Sequence, residues 1–358
     1  MYQLDVLQKF NSLKNKKDVY VLSIESSCDE TSAAVVKNGR EVLSNIISSQ
    51  IDIHKRFGGV VPEVASRNHI MAIDNVVNEA ITASGIKLAD IDAVAVTYGA
   101  GLVGCLMVGV SFAKALAYAL NVPLIKVNHI KGHMSANYIA FKDLQPPFVG
   151  LIVSGGHTAL VKVKSFSENE LIGTTTDDAI GEAYDKVAKV LGLGYPGGPK
   201  VDKLAKLGNP SIEFVNLKHM EQGYDFSFSG IKTAVINYIH KLEQKGEPVP
   251  VNDICASFQN TVKMLVVDKT IRACKEYGLN KVAVAGGVAA NSGLREFLTS
   301  ECEKHGIIAY FPPIILCTDN AAMIGAEAYF SIMDGENLAD LSLTASPSIN
   351  LKYSYKKD

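Results

Sequence analysis

An order of strands and helices that occurs twice constrains this chain more than any other feature. Val19 to Ser26 reads as a strand, Thr31 to Val36 as a second, and Lys37-Asn38-Gly39-Arg40 as a turn into a third, Glu41 to Ser48. Pro62 to Ser84 carries Ile70, Ile73, Val76, Val77, Ala80 and Ile81 at helical spacing, with Pro62 suited to a first turn. Asp92 to Thr97 predicts a buried strand, Val103 to Leu120 a helix, and Pro123 to Val127 another strand. From Phe148 the series restarts. Strands are expected at Phe148 to Ser154, Thr158 to Val163 and Leu171 to Thr176, then a helix at Ala179 to Leu191. A long amphipathic helix follows at Val251 to Tyr277, a strand at Lys281 to Ala285, a helix at Ser292 to His305, a strand at Ile307 to Phe311 and a helix at Asn320 to Ile332.

Three strands followed by alternating helix and strand is the ribonuclease-H-like order. Its duplication predicts an α/β fold of two ribonuclease-H-like lobes, as in the actin, sugar-kinase and heat-shock-chaperone superfamily, with a nucleotide cleft between the lobes. The expected division is an N-terminal extension over 1–18, a first actin-like lobe over 19–145, a second over 146–333 and a C-terminal tail over 334–358. A Gly/Pro-rich insertion at about 192–250 interrupts the second lobe, and Pro146-Pro147 marks the hinge. The 358 residues suffice for two domains with a sizeable core.

A formal net charge of −2 gives no global basic field, so a nucleic-acid substrate would need a local patch or a partner. The six cysteines are scattered, without a Cys-x-x-Cys pair, and read as reduced, buried thiols of a cytosolic protein. Met1 to Lys17 is polar and lacks the apolar core of a secretory signal, which leaves a weak amphipathic transit peptide or a surface extension. No run is expected to reach the length of a membrane-spanning helix, so a cytoplasmic location without a membrane partner is expected.

Within this frame, His129 and His133 stand four apart at the start of a helix, directly after a strand. That spacing puts both imidazoles on one face, about a turn from each other, where they can grip one metal ion with further ligands from elsewhere. The alternative is a surface histidine plus a capping one, since the glutamate of His-Glu-x-x-His is missing. Val153-Ser154-Gly155-Gly156-His157-Thr158 is either a plain tight hairpin or a nest of amides for a phosphate. Ala285-Gly286-Gly287 to Asn291 makes a second glycine turn, aimed at the next helix. Gly99-Ala100-Gly101-Leu102-Val103-Gly104 fits the dinucleotide fingerprint. It does not sit on the first strand and has no ribose-binding carboxylate on the following one, so it reads as close helix–strand packing. Asp177 or Asp178 could cap the helix that follows, and Asp185 within it faces either solvent or a ribose. Asp319 is either an N-cap or the carboxylate that completes a site with the two histidines.

Ile24-Glu25-Ser26-Ser27-Cys28-Asp29-Glu30-Thr31, Gly58-Gly59-Val60-Val61-Pro62-Glu63-Val64-Ala65-Ser66-Arg67, the His129/His133 pair and Ser154-Gly155-Gly156-His157-Thr158 fall in one order. Tyr195-Pro196-Gly197-Gly198-Pro199, Asp225-Phe226-Ser227-Phe228-Ser229-Gly230, Gly286-Gly287-Val288-Ala289-Ala290-Asn291 and Cys317-Thr318-Asp319-Asn320-Ala321-Ala322 continue it. Together they resemble the tRNA N6-adenosine threonylcarbamoyltransferase family (TsaD, formerly Gcp or O-sialoglycoprotein endopeptidase), in its bacterial form, from about Val19 to Tyr329. Ala100, Ile180 and Tyr184 stand where that family has Pro, Ala and Phe.

The resemblance implies a metal-dependent acyltransferase. It would move the threonylcarbamoyl group from threonylcarbamoyl-adenylate to N6 of adenosine 37, in tRNAs reading codons that begin with A, and release AMP. It implies that His129, His133 and Asp319 hold one divalent metal per subunit, usually Fe(2+), with Zn(2+) the alternative. Ile152, Val153, Ser154, Gly155, Gly156, Asp185, Gly198, Asp202 and Asn291 would bind the substrate, and subunits of the TsaB and TsaE type would be partners beside tRNA. Asp29 and Glu30 are candidates for the group that accepts the amine proton, because a hairpin tip of the first lobe should face the cleft; the phosphate is the other. Two rival readings are a metalloprotease, against which the missing glutamate counts, and an ATP-binding regulatory or chaperone-like module.

Overall fold

A computed structural model describes residues 2–216 and 223–349. Part of the expected insertion, 217–222, and the end of the expected tail, 350–358, lie outside the described residues. In chain order the elements begin α1 (Tyr2–Leu13), β1 (Tyr20–Glu25), β2 (Glu30–Lys37), β3 (Glu41–Ser49), α2 (Ile51–Lys55), α3 (Pro62–Ser84) and β4 (Ala93–Gly99). They continue α4 (Val103–Leu120), β5 (Leu124–Asn128), α5 (His129–Ala140), β6 (Phe148–Val153), β7 (Thr158–Val163), β8 (Asn169–Thr174), α6 (Ile180–Val190) and α7 (Gly197–Ala205). The remainder is α8 (Ser229–Lys245), α9 (Val251–Glu276), β9 (Lys281–Ala285), α10 (Ser292–Lys304), β10 (Ile308–Tyr310), α11 (Ile314–Cys317), α12 (Ala321–Asp334) and β11 (Leu338–Ala339).

The chain divides into two compact units. Among the described residues, unit 1 holds those of 2–144, 165–168 and 312–349, and unit 2 those of 145–164 and 169–311. The sheet of unit 1 runs β11-β5-β4-β1-β2-β3 and that of unit 2 runs β10-β9-β6-β7-β8. In each, the first three strands pair antiparallel, and the next two add in parallel beside the first. The expected duplication is therefore present as two sheets of the same order, one lengthened by β11.

Alternation along the strands of unit 1 sends side chains into two cores. Leu22, Ile24, Ala33, Val35, Val94 and Val96 pack with Ile73, Val76, Val77 and Ala80 of α3 and with Val110, Ala113 and Ala117 of α4. On the opposite face Val21, Ala34, Val36, Ala95, Ile125 and Val127 pack with Phe10 and Leu13 of α1 and with Ala321, Ala322, Met323, Ile324 and Ala328 of α12.

Four expectations change here. Residues 1–18 are not merely an extension: α1 buries Val6, Phe10 and Leu13, four and three positions apart, as a helix face does. The segment 312–333 was expected in the second lobe and belongs to unit 1. The start of α12 is tied to the first three strands, with the Ser23 hydroxyl donating to the Ala321 carbonyl, and the Ala321 amide to the Ser32 hydroxyl. The expected insertion contains two helices, α7 and α8. The N-terminus of α8 is capped by Asp177, which accepts from the Phe228 amide at 2.8 Å and the Ser229 amide at 3.2 Å. Finally, α4 is the one helix among the described residues long and apolar enough to cross a membrane, with a mean hydropathy of 1.8; its Cys105, Leu106, Gly109, Val110, Ala113 and Ala117 are buried within unit 1.

The glycine fingerprint at 99–104 is a packing device, but one that packs against the β1–β2 tip and α3 and not a helix on a strand. A Cβ on Gly101 would lie 2.6 Å from the Ser27 carbonyl oxygen, and one on Gly104 would lie 3.2 Å from the Ser66 Cβ. The Leu102 amide donates to that same Ser27 carbonyl at 2.8 Å.

Candidate functional site

Unit 1 gathers the three expected metal ligands. Asn128 ends β5 and caps α5, its side chain accepting from the Ile130 amide at 2.9 Å. His129 and His133 then occupy the first and fifth helical positions, with ring centroids 4.6 Å apart. Asp319 lies between α11 and α12. The cap of α12 is Asn320, which accepts from the Met323 amide at 3.1 Å, so capping does not fall to Asp319. Oδ1 of Asp319 lies 3.5 Å from Nε2 of His129 and 3.2 Å from Nε2 of His133. All three residues belong to unit 1, not to two lobes, because α12 returns to the face of the first sheet.

The donors fit a divalent ion. Ligand bonds of about 2.0–2.2 Å put neighbouring ligand atoms about 3 Å apart, and one atom from each residue lies within 4.8 Å of the others. His133 is 2% exposed; its Nδ1 has no hydrogen-bond partner among the described residues, and its Nε2 faces Oδ1 of Asp319 at 3.2 Å. Burying ring nitrogens unpaired is costly; an ion would satisfy the one that faces Asp319.

Sequence reasoning missed the groups that hold His129. Glu25, at the end of β1 and fully buried, places Oε2 3.0 Å from Nδ1 of His129. It also accepts from the Thr97 hydroxyl at 2.6 Å and the Ser27 amide at 2.6 Å. Nδ1–H directed at a carboxylate makes Nε2 the atom that faces Asp319 and would take an ion. Burial opposes the imidazolium, yet the Asp319 and Glu25 carboxylates outweigh it and raise His129 to about 9. A charged residue at the end of a largely apolar strand was the available signal.

The hairpin tip between β1 and β2 carries the two expected proton acceptors. Burial, then the Asp319 and Asp29 carboxylates, push Glu30 up to about 10. A divalent ion held by Asp319 would offset part of that push. The tip is anchored by His69, whose Nε2 donates to the Cys28 carbonyl at 2.9 Å while Nδ1 accepts from the Thr31 hydroxyl at 2.7 Å.

Unit 2 contains all nine expected substrate residues. Ile152 and Val153 end β6, and the Ser154–His157 turn closes with the Ser154 amide donating to the His157 carbonyl at 2.8 Å. A Cβ on Gly155 or Gly156 would meet nothing within 4 Å, so the turn presents open backbone. Gly181 at the start of α6 donates its amide to the Ser154 carbonyl at 3.1 Å. Gly286, at φ +95°, brings the second glycine turn against Val153, whose carbonyl oxygen a Cβ would approach at 2.5 Å. Asp185, within α6, accepts from the Gly197 amide at 2.7 Å, beside Gly198 at the start of α7. Asp202 accepts from the Ser292 amide at 3.1 Å and hydroxyl at 2.8 Å, and Asn291 caps α10 by accepting from the Leu294 amide at 2.8 Å. Asp178, expected as a cap, instead pairs with Lys186 and Lys232.

Comparison with known proteins adds to this geometry. Residues 41–326 match the family model for TsaD, tRNA N6-adenosine threonylcarbamoyltransferase. A protein of that name from Clostridium perfringens (strain SM101) is 60% identical over 338 residues, covering 94% of this chain and 99% of the relative. One from Clostridium botulinum (strain 657) is 58% identical over 337 residues, with the same coverage. Among solved structures, the HypF of T. kodakarensis aligns over 88% of this chain and 48% of its own, with a TM-score of 0.59 at 14% identity. Component A of the (R)-2-hydroxyglutaryl-CoA dehydratase of Acidaminococcus fermentans aligns over 88% of this chain and 99% of its own, with a TM-score of 0.51 at 17% identity. These two likenesses are of fold.

Proposed function

Since this chain belongs to the tRNA N6-adenosine threonylcarbamoyltransferase family, we propose that it transfers the threonylcarbamoyl group from threonylcarbamoyl-adenylate to N6 of adenosine 37, in tRNAs reading codons that begin with A. The observation that carries this reading is 60% identity to a relative of that name across 94% of the chain.

The donor is a mixed carbamic–phosphoric anhydride. The adenine N6 forms a bond to the carbamoyl carbon, the anhydride C–O bond breaks, AMP leaves with the electron pair, and N6 loses a proton. AMP is a good leaving group, so the protein's task is to position a weakly nucleophilic amine and to stabilise charge on the carbonyl and phosphate. His129, His133 and Asp319 hold one ion, and two imidazoles with one carboxylate suit Fe(2+), with Zn(2+) the alternative. When bound, the ion supplies Lewis acidity and a template for donor oxygens.

Ile152, Val153, Ser154, Gly155 and Gly156 receive the phosphate side of the adenylate through backbone amides, and Asp185, Gly198, Asp202 and Asn291 hold the rest. The open faces of Gly155 and Gly156 support that role. Asp29, Glu30 or the departing phosphate accepts the N6 proton. Subunits of the TsaB and TsaE type complete the working complex. The experiment that tests the function is incubation with threonylcarbamoyl-adenylate, unmodified tRNA and those subunits, followed by nucleoside analysis. Threonylcarbamoyladenosine at position 37 is expected, and its absence would refute the reading.

A further inference from the structure

Gln259 lies on α9, 6% exposed, and no motif singled it out. Its carboxamide joins two residues placed in the adenylate site. Nε2 donates to Oδ1 of Asp202 at 3.0 Å, and Oε1 accepts from Nδ2 of Asn291 at 2.9 Å. The Tyr184 hydroxyl donates to the same Oε1 at 3.4 Å. Asp202 and Asn291 otherwise serve the start of α10. Asp202 takes the Ser292 amide and hydroxyl and, at 3.3 Å, the Gly293 amide, while Asn291 takes the Leu294 amide. At Gly293 a Cβ would come within 2.5 Å of the Gln259 Nε2, so this helix start is built around the carboxamide.

The polarity of the arrangement matters. A carboxylate only accepts, so the group facing Asp202 must be a donor; Asn291 presents its amide nitrogen, so the group facing it must be an acceptor. A carboxamide supplies one of each in a fixed orientation. Neither a hydrocarbon nor a second carboxylate does so, and a pair of buried carboxylates in contact would repel.

We propose that Gln259 is a positioning residue for the nucleotide subsite, setting the orientation of Asp202 and Asn291 towards the adenylate. The inference rests on the assignment of those two residues to that subsite. It predicts a loss in nucleotide affinity through either of two different substitutions, and recovery when donor and acceptor are exchanged across the contact. Gln259→Leu removes both hydrogen bonds at similar volume. Gln259→Glu sets a carboxylate against Asp202. Combining Gln259→Glu with Asp202→Asn restores one carboxylate facing one carboxamide.

The test is calorimetric titration of AMP into the full chain, with metal content measured on the same samples. Gln259→Leu and Gln259→Glu should each weaken AMP about tenfold, the scale of an unsatisfied buried polar group, and leave metal content unchanged. The double variant should recover part of the Gln259→Glu loss, which a merely destabilised fold would not do. AMP binding weakened by Asp185→Ala but within twofold of wild type in Gln259→Leu overturns the positioning role and leaves the subsite standing. AMP affinity indifferent to both Asp185→Ala and Gln259→Leu removes the subsite, and the inference with it.

Discussion

Oε2 of Glu25 lies 3.0 Å from Nδ1 of His129 and 2.6 Å from the Thr97 hydroxyl, so a carboxylate buried in the first strand selects which nitrogen of His129 faces Asp319. Partners of this kind orient a metal ligand and raise its basicity. Glu25→Gln should therefore lower metal affinity by roughly 10–100-fold while far-ultraviolet circular dichroism stays at wild-type levels. Competition against a chromophoric chelator reads the affinity. An unchanged constant would show that Glu25 contributes packing alone.

His69 predicts a pH dependence of stability. Burial lowers its pKa below the ordinary value. A base whose folded pKa is depressed binds fewer protons folded than unfolded, so its contribution to stability is present above the unfolded pKa of about 6.5 and is lost as the pH falls below it. Urea unfolding at pH 7.5 and 5.5 should show a larger acid-induced loss for the wild type than for His69→Asn. Equal losses would refute the assignment of His69 as a buried neutral ring.

Asp185 accepts from the Gly197 amide at the start of α7. Asp185→Ala should weaken AMP by about tenfold, the scale of one lost charged hydrogen bond, and leave metal content intact, since His129, His133 and Asp319 lie in the other unit. Parallel loss of metal and AMP would point to misfolding.

Phe10 is 3% exposed in the core shared by α1, the sheet and α12. Phe10→Ala should cost about 3–5 kcal/mol of unfolding free energy, the usual range for emptying a buried aromatic site. A cost below about 1 kcal/mol would return α1 to the status of a surface extension.

The two sheets were legible because their strands are largely apolar runs bounded by turns, as at Val19 to Ser26 and Phe148 to Ser154. The allegiance of α12 was not, since order along the chain places it after β10 whereas its apolar surface fits the first sheet. In α8 the signal was present, with Ile231, Val235 and Ile239 buried four apart. Its flanking glycines and prolines placed it in a Gly/Pro-rich insertion to which no element was assigned. His129, His133 and Asp319 were legible as residue types, and Asp319 could be separated from a cap only once Asn320 was seen to take that place. Gln259 could not be read at all: its partners lie 57 and 32 residues away, and only the packed helices bring them together.

The most direct measurement concerns His133, whose buried Nε2 lies 3.2 Å from Oδ1 of Asp319. Wild type and His133→Ala are each loaded with Fe(2+) or Zn(2+), assayed for bound metal, and incubated with partner subunits, unmodified tRNA and threonylcarbamoyl-adenylate. The wild type should bind one ion per chain and yield threonylcarbamoyladenosine. The variant should lose most of both while keeping its circular dichroism spectrum. Full metal content and full transfer by His133→Ala would contradict the account.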